Sequence, residues 1–116
     1  MYAMTDDILR QLAGTIAARR AEAADRSYTR QLIDGGPKRC AKKFGEEAVE
    51  TVIAALAEDD AALKNEAADV IYHLLVLLEV RGVAIDDVLG VLQARMATSG
   101  LAEKAARTSA PKPQGG

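Results

Sequence analysis

The sequence from 70 to 78 is apolar at almost every position, and this run constrains the fold more than any other feature. It lies in the second half of a segment, 61–81, whose pattern predicts an α-helix that ends at Gly82. A helix that is apolar nearly all round is buried on several sides rather than lying on a surface. Because a chain of 116 residues has little protein to cover it, we expect a second copy to do so in a homodimer.

The remainder of the chain repeats its apolar residues at intervals of three and four, without the two-residue alternation of a strand. Turn-forming residues interrupt this pattern at 34–37 and 59–60. The pattern predicts four more helices, over 5–24, 28–33, 37–58 and 86–96. Because short connections join long helices, we expect an all-α helical bundle built on an antiparallel helix hairpin and completed by dimerisation.

Caps and apolar stripes give this prediction detail. Thr5 and Ser27 are the predicted N-caps of the first two helices. Residues 1–98 are expected to form one domain, and 99–116, which contain Ser, Gly and Pro, are expected to be a disordered tail. The apolar stripe of the third helix consists of Val49, Val52, Ile53 and Leu56, and the inward residues of the last helix are Val88, Leu89 and Leu92.

The composition excludes several classes of function. Lys plus Arg is 15 and Asp plus Glu is 17, so the net charge of −2 provides no basic footprint for nucleic acid. The apolar run is far shorter than the ~20 residues of a membrane helix. Acidic Asp6 and Asp7 stand where a signal peptide carries positive charge, and the single cysteine, Cys40, excludes an intramolecular disulfide. We therefore expect a protein that binds neither nucleic acid nor membrane, and a reducing compartment fits its single cysteine.

Carboxylates recur three and four residues apart on the third and fourth predicted helices. Residues 46–79 contain nine acidic residues and a single basic one, Lys64. A hairpin about 59–60 lets the two acidic groups face each other, where unit charges ~4 Å apart repel by about 4 kcal/mol at an effective dielectric near 20. A divalent cation removes that cost, and ligation by oxygen alone favours Mg²⁺, or Mn²⁺. The candidate metal ligands are Glu46, Glu47, Glu50, Glu66 and Asp69.

The helical periodicity also orders these carboxylates around the third helix. Glu46 and Glu50 border the apolar stripe, whereas Glu47 lies further toward solvent. A solvated acidic face with no metal is the alternative interpretation. Lys42 and Lys43 lie about one turn before Glu46, where they can neutralise a polyphosphate, although solubility charges and helix ion pairs explain them as well.

Several motifs resemble those of a known family. The segments are Ser27-Tyr28-Thr29, Lys42-Lys43, Gly45-Glu46-Glu47-Ala48, Glu50, Ile53-Ala54-Ala55, Glu66-Ala67-Ala68-Asp69 and the run from Tyr72 and His73 to Leu78. In these segments the chain resembles the phosphoribosyl-ATP pyrophosphohydrolases of histidine biosynthesis, which belong to the all-α, MazG-like nucleotide pyrophosphohydrolase superfamily. The resemblance extends over about residues 5–96.

The resemblance implies Mg²⁺-dependent hydrolysis of 1-(5-phosphoribosyl)-ATP to 1-(5-phosphoribosyl)-AMP and pyrophosphate by a cytoplasmic homodimer. It implies that the five carboxylates bind metal, with Glu47 and Glu50 as the catalytic residues. Spacing leaves open which of Glu46 and Glu47 binds the metal directly. The residues expected to bind substrate are Tyr28, Thr29, Lys42, Lys43 and His73.

Two other functions remain open from the sequence. One is a house-cleaning (d)NTP pyrophosphohydrolase of the same superfamily, which shares the acidic pattern. The other is a helical dimerisation module with no catalytic activity, in which the acidic residues only keep a surface hydrated.

Overall fold

The computed structural model describes residues 4–23 and 27–98, together with Lys104 and Arg107. Within these residues the chain forms five helices and no strand, which confirms the all-α prediction. The predicted tail, 99–116, lies outside the described residues except for Lys104 and Arg107, which are helical, and the domain limits stay a prediction. The helices are α1 (Met4–Arg19), α2 (Tyr28–Asp34), α3 (Gly36–Ala57), α4 (Asp60–Arg81) and α5 (Ile85–Met96).

The α3–α4 hairpin is the main packing unit of the fold. Glu58 caps the end of α3, and the Asp59 carboxylate accepts a hydrogen bond from the backbone N–H of Ala62, 2.9 Å away, at the start of α4. At its other end α4 terminates at Gly82, whose φ of 72° is in the left-handed region that glycine adopts without strain. The predicted limits of both helices are confirmed to within one residue.

The first helix is shorter than its periodicity predicts. It begins at Met4, so Thr5 is inside the helix rather than its N-cap, and it ends at Arg19 instead of 24. Arg20 leaves the helix and forms an ion pair with Glu79 of α4 at 2.8 Å. The carbonyl oxygen of Arg20 accepts a hydrogen bond from the Arg30 guanidinium. These tertiary contacts end α1 where local propensity alone would continue it.

The core lies between the first four helices and is aliphatic. Cys40 belongs to it, and its thiol donates to the carbonyl oxygen of Leu32 at 3.2 Å. Burial raises the pKa of this thiol, so Cys40 stays protonated and is a packing residue. Ser27 caps α2 as predicted, by accepting from the backbone N–H of Arg30. The buried core residues are Ile16, Leu32, Ile33, Cys40, Leu75 and Val76.

The apolar stripe of α3 is not buried within the chain. Its four residues, Val49, Val52, Ile53 and Leu56, are exposed by 59, 57, 48 and 83%. The buried residues of α3 are instead Cys40, Glu47 and Ala54, which recur every seven positions along the side of the helix that meets α4. The helices that pack on α3, mainly α4 with α2 near its start, bury this side, and the structure leaves the more apolar side uncovered.

The apolar run of α4 is likewise only partly covered. His73, Leu75 and Val76 are buried, whereas Ile71 is 43% exposed. The described residues from 86 onward belong to a separate compact unit, within which Val88 and Leu89 are partly buried and Leu92, predicted to face inward, is 49% exposed. No helix among the described residues is long and apolar enough to cross a membrane.

Candidate active site

Three carboxylates from two helices converge on one face of the hairpin. Glu47 is on α3, and Glu66 and Asp69 lie one turn apart on α4. One oxygen from each lies within 4.8 Å of the oxygens of the other two. The hairpin thus brings together residues that are about twenty positions apart in the sequence, as the spacing predicts, and three oxygens at this separation match the ligand set of a divalent cation.

The order of the α3 carboxylates differs from the helical-wheel prediction. Glu47, expected toward solvent, is only 8% exposed, whereas Glu46 and Glu50 are exposed. The prediction was wrong because it placed the apolar stripe of α3 against its neighbour. The side that meets α4 contains Glu47, and this burial favours Glu47 over Glu46 as a direct ligand.

The carboxylate of Glu66 contains the most unusual atom of the site. Its Oε1 is buried and has no hydrogen-bond partner among the described residues. Burial, followed by the charges of Glu50 and Asp69, raises the pKa of Glu66 above its ordinary value. A buried carboxylate oxygen without a partner is costly unless a cation accompanies it, so the residues present fit a bound metal.

Lys43 supplies a positive charge at the edge of this cluster. Its ammonium lies 3.5 Å from Oε1 of Glu46 and 3.8 Å from Oε2 of Glu47. Tyr28, and after it the carboxylates of Glu46 and Glu47, raise the pKa of Lys43, so it remains a cation. Lys42, the other predicted basic residue, is exposed at the adjacent position of α3.

A cluster of aromatic rings and hydroxyl groups joins α2 to α4 beside the site. Tyr28 is half exposed and meets the imidazole of His73 edge to face, with ring centroids 6.2 Å apart, and Tyr72 packs against the same imidazole at 4.9 Å. Burial lowers the pKa of His73, so its ring is neutral near pH 7. Thr29 is buried, and its hydroxyl is hydrogen-bonded to that of Tyr72, inside the fold rather than toward solvent.

Comparison with known proteins identifies the family. The sequence profile of the phosphoribosyl-ATP pyrophosphohydrolases matches residues 9–96. The chain belongs to this family. It is 53% identical over 100 residues to the phosphoribosyl-ATP pyrophosphatase of Cereibacter sphaeroides strain ATCC 17029, an alignment that covers 86% of this chain and 97% of that protein. It is 54% identical to the phosphoribosyl-ATP pyrophosphatase of Ruegeria pomeroyi. It is also 54% identical to phosphoribosyl-ATP pyrophosphatase 1 of Rhodopseudomonas palustris. These alignments cover 86% and 85% of this chain and 95% and 92% of the two relatives.

Proposed function

We propose that this protein hydrolyses 1-(5-phosphoribosyl)-ATP to 1-(5-phosphoribosyl)-AMP and pyrophosphate, the second step of histidine biosynthesis. Membership of the phosphoribosyl-ATP pyrophosphohydrolase family carries this proposal, because the matched residues, 9–96, include every candidate site residue. The relatives at 53–54% identity are named for the same activity. The protein is thus a hydrolase that acts on a phosphoric anhydride. The proposed compartment is the cytoplasm, which a buried, protonated lone thiol fits.

We propose that the metal is Mg²⁺, with Mn²⁺ as a substitute, and that Glu47, Glu66 and Asp69 hold it. Three convergent carboxylate oxygens and an unpartnered buried Oε1 of Glu66 support this choice. Oxygen ligands without nitrogen or sulfur favour hard cations over zinc or copper. When bound, Mg²⁺ offsets the charge of the phosphate oxygens and makes water more acidic.

The remaining predicted residues are assigned roles around that cluster. Glu50 is exposed on α3 and close enough to raise the pKa of Glu66, so it can accept the proton of the attacking water. Glu46 is paired with Lys43 and orients it. Lys43 and the exposed Lys42 balance the charge of the departing pyrophosphate, which is the part of the substrate with the most negative charge.

The half-exposed Tyr28 is assigned to the uncharged part of the substrate, and the buried, neutral His73, predicted to bind substrate, is assigned to supporting the Tyr28 ring. Their rings meet edge to face on the α2 side of the site. Thr29 is assigned a different place, because its buried hydroxyl is engaged by Tyr72, and it contributes by holding α2 against α4.

We also propose that the protein is a homodimer and that the second copy covers the exposed stripe of α3. Four large aliphatic side chains at consecutive turns are costly to leave in water, at about 25 cal/mol for each Å² of apolar surface. The same stripe was predicted from the sequence to be a packing surface, and the chain itself provides no neighbour for it.

A pyrophosphate-release assay tests the proposed activity. Phosphoribosyl-ATP is compared with a panel of dNTPs, each with Mg²⁺ and with EDTA. We expect rapid release from phosphoribosyl-ATP only with the metal present. Efficient turnover of dNTPs without turnover of phosphoribosyl-ATP would instead assign the chain to the house-cleaning enzymes, and no release from any substrate would favour a non-catalytic module.

A further inference from the structure

Thr51 lies between the two helices that carry the candidate metal ligands. Its hydroxyl donates to the carbonyl oxygen of Glu47, 2.9 Å away within α3. The same hydroxyl lies 3.2 Å from the carbonyl oxygen of Glu66, across the hairpin on α4. Since a hydroxyl has one proton, the two carbonyl groups share it in a three-centre hydrogen bond. One side-chain atom therefore contacts the main chains of two ligand residues on different helices.

This arrangement matters because the separation of Glu47 and Glu66 decides whether their carboxylates can share one cation. Without a cation the acidic side chains repel each other, which acts to open the hairpin at the site. Binding requires the ligands to be held within about 0.5 Å of their working positions by their neighbours. The shared hydrogen bond from the Thr51 hydroxyl to the main-chain carbonyl oxygens of Glu47 and Glu66 opposes that opening at the ligand residues themselves.

We propose that Thr51 is a positioning residue that fixes the spacing of Glu47 and Glu66 for metal binding. The inference rests on the proposed function, because it concerns the same metal site. The bond inside α3 alone does not distinguish Thr51 from other helical threonines, since Ser and Thr commonly donate to the carbonyl four residues earlier. The contact with Glu66 on the other helix is the distinguishing feature.

The chain provides a matched control. Thr15 on α1 makes the same bond to the carbonyl oxygen four residues earlier, that of Gln11, also at 2.9 Å, and it is exposed. Thr15→Val removes a helical hydroxyl without affecting the hairpin. Thr51→Val removes the corresponding hydroxyl and also the link to α4, and valine retains the β-branched shape of threonine.

The test measures binding of Mn²⁺ to the full-length protein by electron paramagnetic resonance, with circular dichroism to confirm folding. We expect Thr51→Val to weaken Mn²⁺ binding about tenfold. Thr51→Ser, which keeps the hydroxyl, should bind within about twofold of the wild type, and Thr15→Val should not change binding. The Mg²⁺ concentration for half-maximal turnover should rise in Thr51→Val, whereas KM for substrate at saturating Mg²⁺ should not.

Several results would overturn this role. Wild-type Mn²⁺ affinity in a folded Thr51→Val chain would show that the hydroxyl does not position the ligands. A loss in Thr51→Ser equal to that in Thr51→Val would assign the effect to the methyl group instead. If Thr51→Val does not fold, Thr51→Ala replaces it with the same expectation. A wild-type chain that binds no Mn²⁺ removes the inference as well. The proposed activity fails separately, through the absence of pyrophosphate release in the wild type.

Discussion

Glu46 and Glu47 are neighbours in the sequence with opposite surroundings in the structure. Glu46 is exposed and paired with Lys43, whereas Glu47 is buried and shares a cluster with Glu66 and Asp69. Periodicity placed Glu47 toward solvent, but spacing left open which of the two binds the metal, because that depends on which side of α3 meets α4. The packing of α3 on α4 makes that choice.

This difference predicts unequal effects of removing each charge. Glu47→Gln should lower kcat about 100-fold or more, since it removes the negative charge of a candidate metal ligand. Glu46→Gln should stay within about fivefold of the wild type, because exposed ion pairs contribute little. Steady-state pyrophosphate release at saturating Mg²⁺ measures both. A larger loss in Glu46→Gln would place the direct ligand at 46 instead.

Glu66 provides a second prediction, about stability without metal. The pKa of its carboxyl group is raised above the ordinary value of 4.5 in the folded chain. The ionised carboxylate is therefore more stable in the unfolded chain, and as the pH rises above 4.5 its ionisation lowers the free energy of unfolding. The Glu66→Gln variant carries no charge at this position, so it avoids this cost. In EDTA at pH 7 it should therefore unfold at a higher temperature than the wild type. The difference should disappear well below pH 4.5, where the wild-type carboxyl is protonated in both states.

Added Mg²⁺ is the control for this prediction. It should raise the unfolding temperature of the wild type and have a smaller effect on Glu66→Gln, because ligands that bind only the folded state stabilise it. If Glu66→Gln without metal unfolds at a lower temperature than the wild type, the account of Glu66 as a buried carboxylate repelled by its neighbours is wrong.

At the scale of the elements, one side-chain cap stabilises the turn between α3 and α4. The Asp59 carboxylate accepts from the backbone of Ala62, whereas Asp60 is the first residue of α4 and only its charge favours that position. Asp59→Ala should reduce the free energy of unfolding by ~1 kcal/mol. Asp60→Ala, the matched control, should cost no more than about 0.5 kcal/mol. Urea denaturation at one protein concentration measures both.

Elements with local signals were the ones predicted most closely. The Ser27 cap of α2 and the Gly82 end of α4 are each set by a few adjacent residues, and both were predicted from the sequence. The end of α1 was not, because the contacts that end it join Arg20 to Glu79 and to Arg30. Glu79 and Arg30 are 59 and 10 residues from Arg20 in the sequence, so the local periodicity does not indicate these contacts.

At the scale of the whole molecule, the exposed stripe of α3 predicts self-association. Sedimentation at low micromolar concentration should give a dimer for the wild type. Val52→Asp places a charge in the middle of the stripe and should raise the dimer dissociation constant at least about 100-fold. Ile8→Asp, at a position 58% exposed on α1, a helix that packs mainly on α4, should leave association unchanged. A wild-type monomer would exclude the proposed dimer.

The sequence by itself determined the helical class, the hairpin and the two carboxylate groups that face each other. Each of these follows from residue spacing, because a 3.6-residue repeat and a two-residue turn fix which side chains lie on one side of a helix. It also contained the motifs that resemble the family, and family membership is confirmed by the match over 9–96.

Only the tertiary structure decided which side of α3 meets α4. The stripe of Val49, Val52, Ile53 and Leu56 has the greater apolar surface, so periodicity alone favours it as the buried side. The folded chain instead packs the row of Cys40, Glu47 and Ala54 against α4, which buries Glu47 and brings Thr51 between the ligand residues. This choice depends on the fit of two complete helices to each other, and no local stretch of sequence specifies that fit.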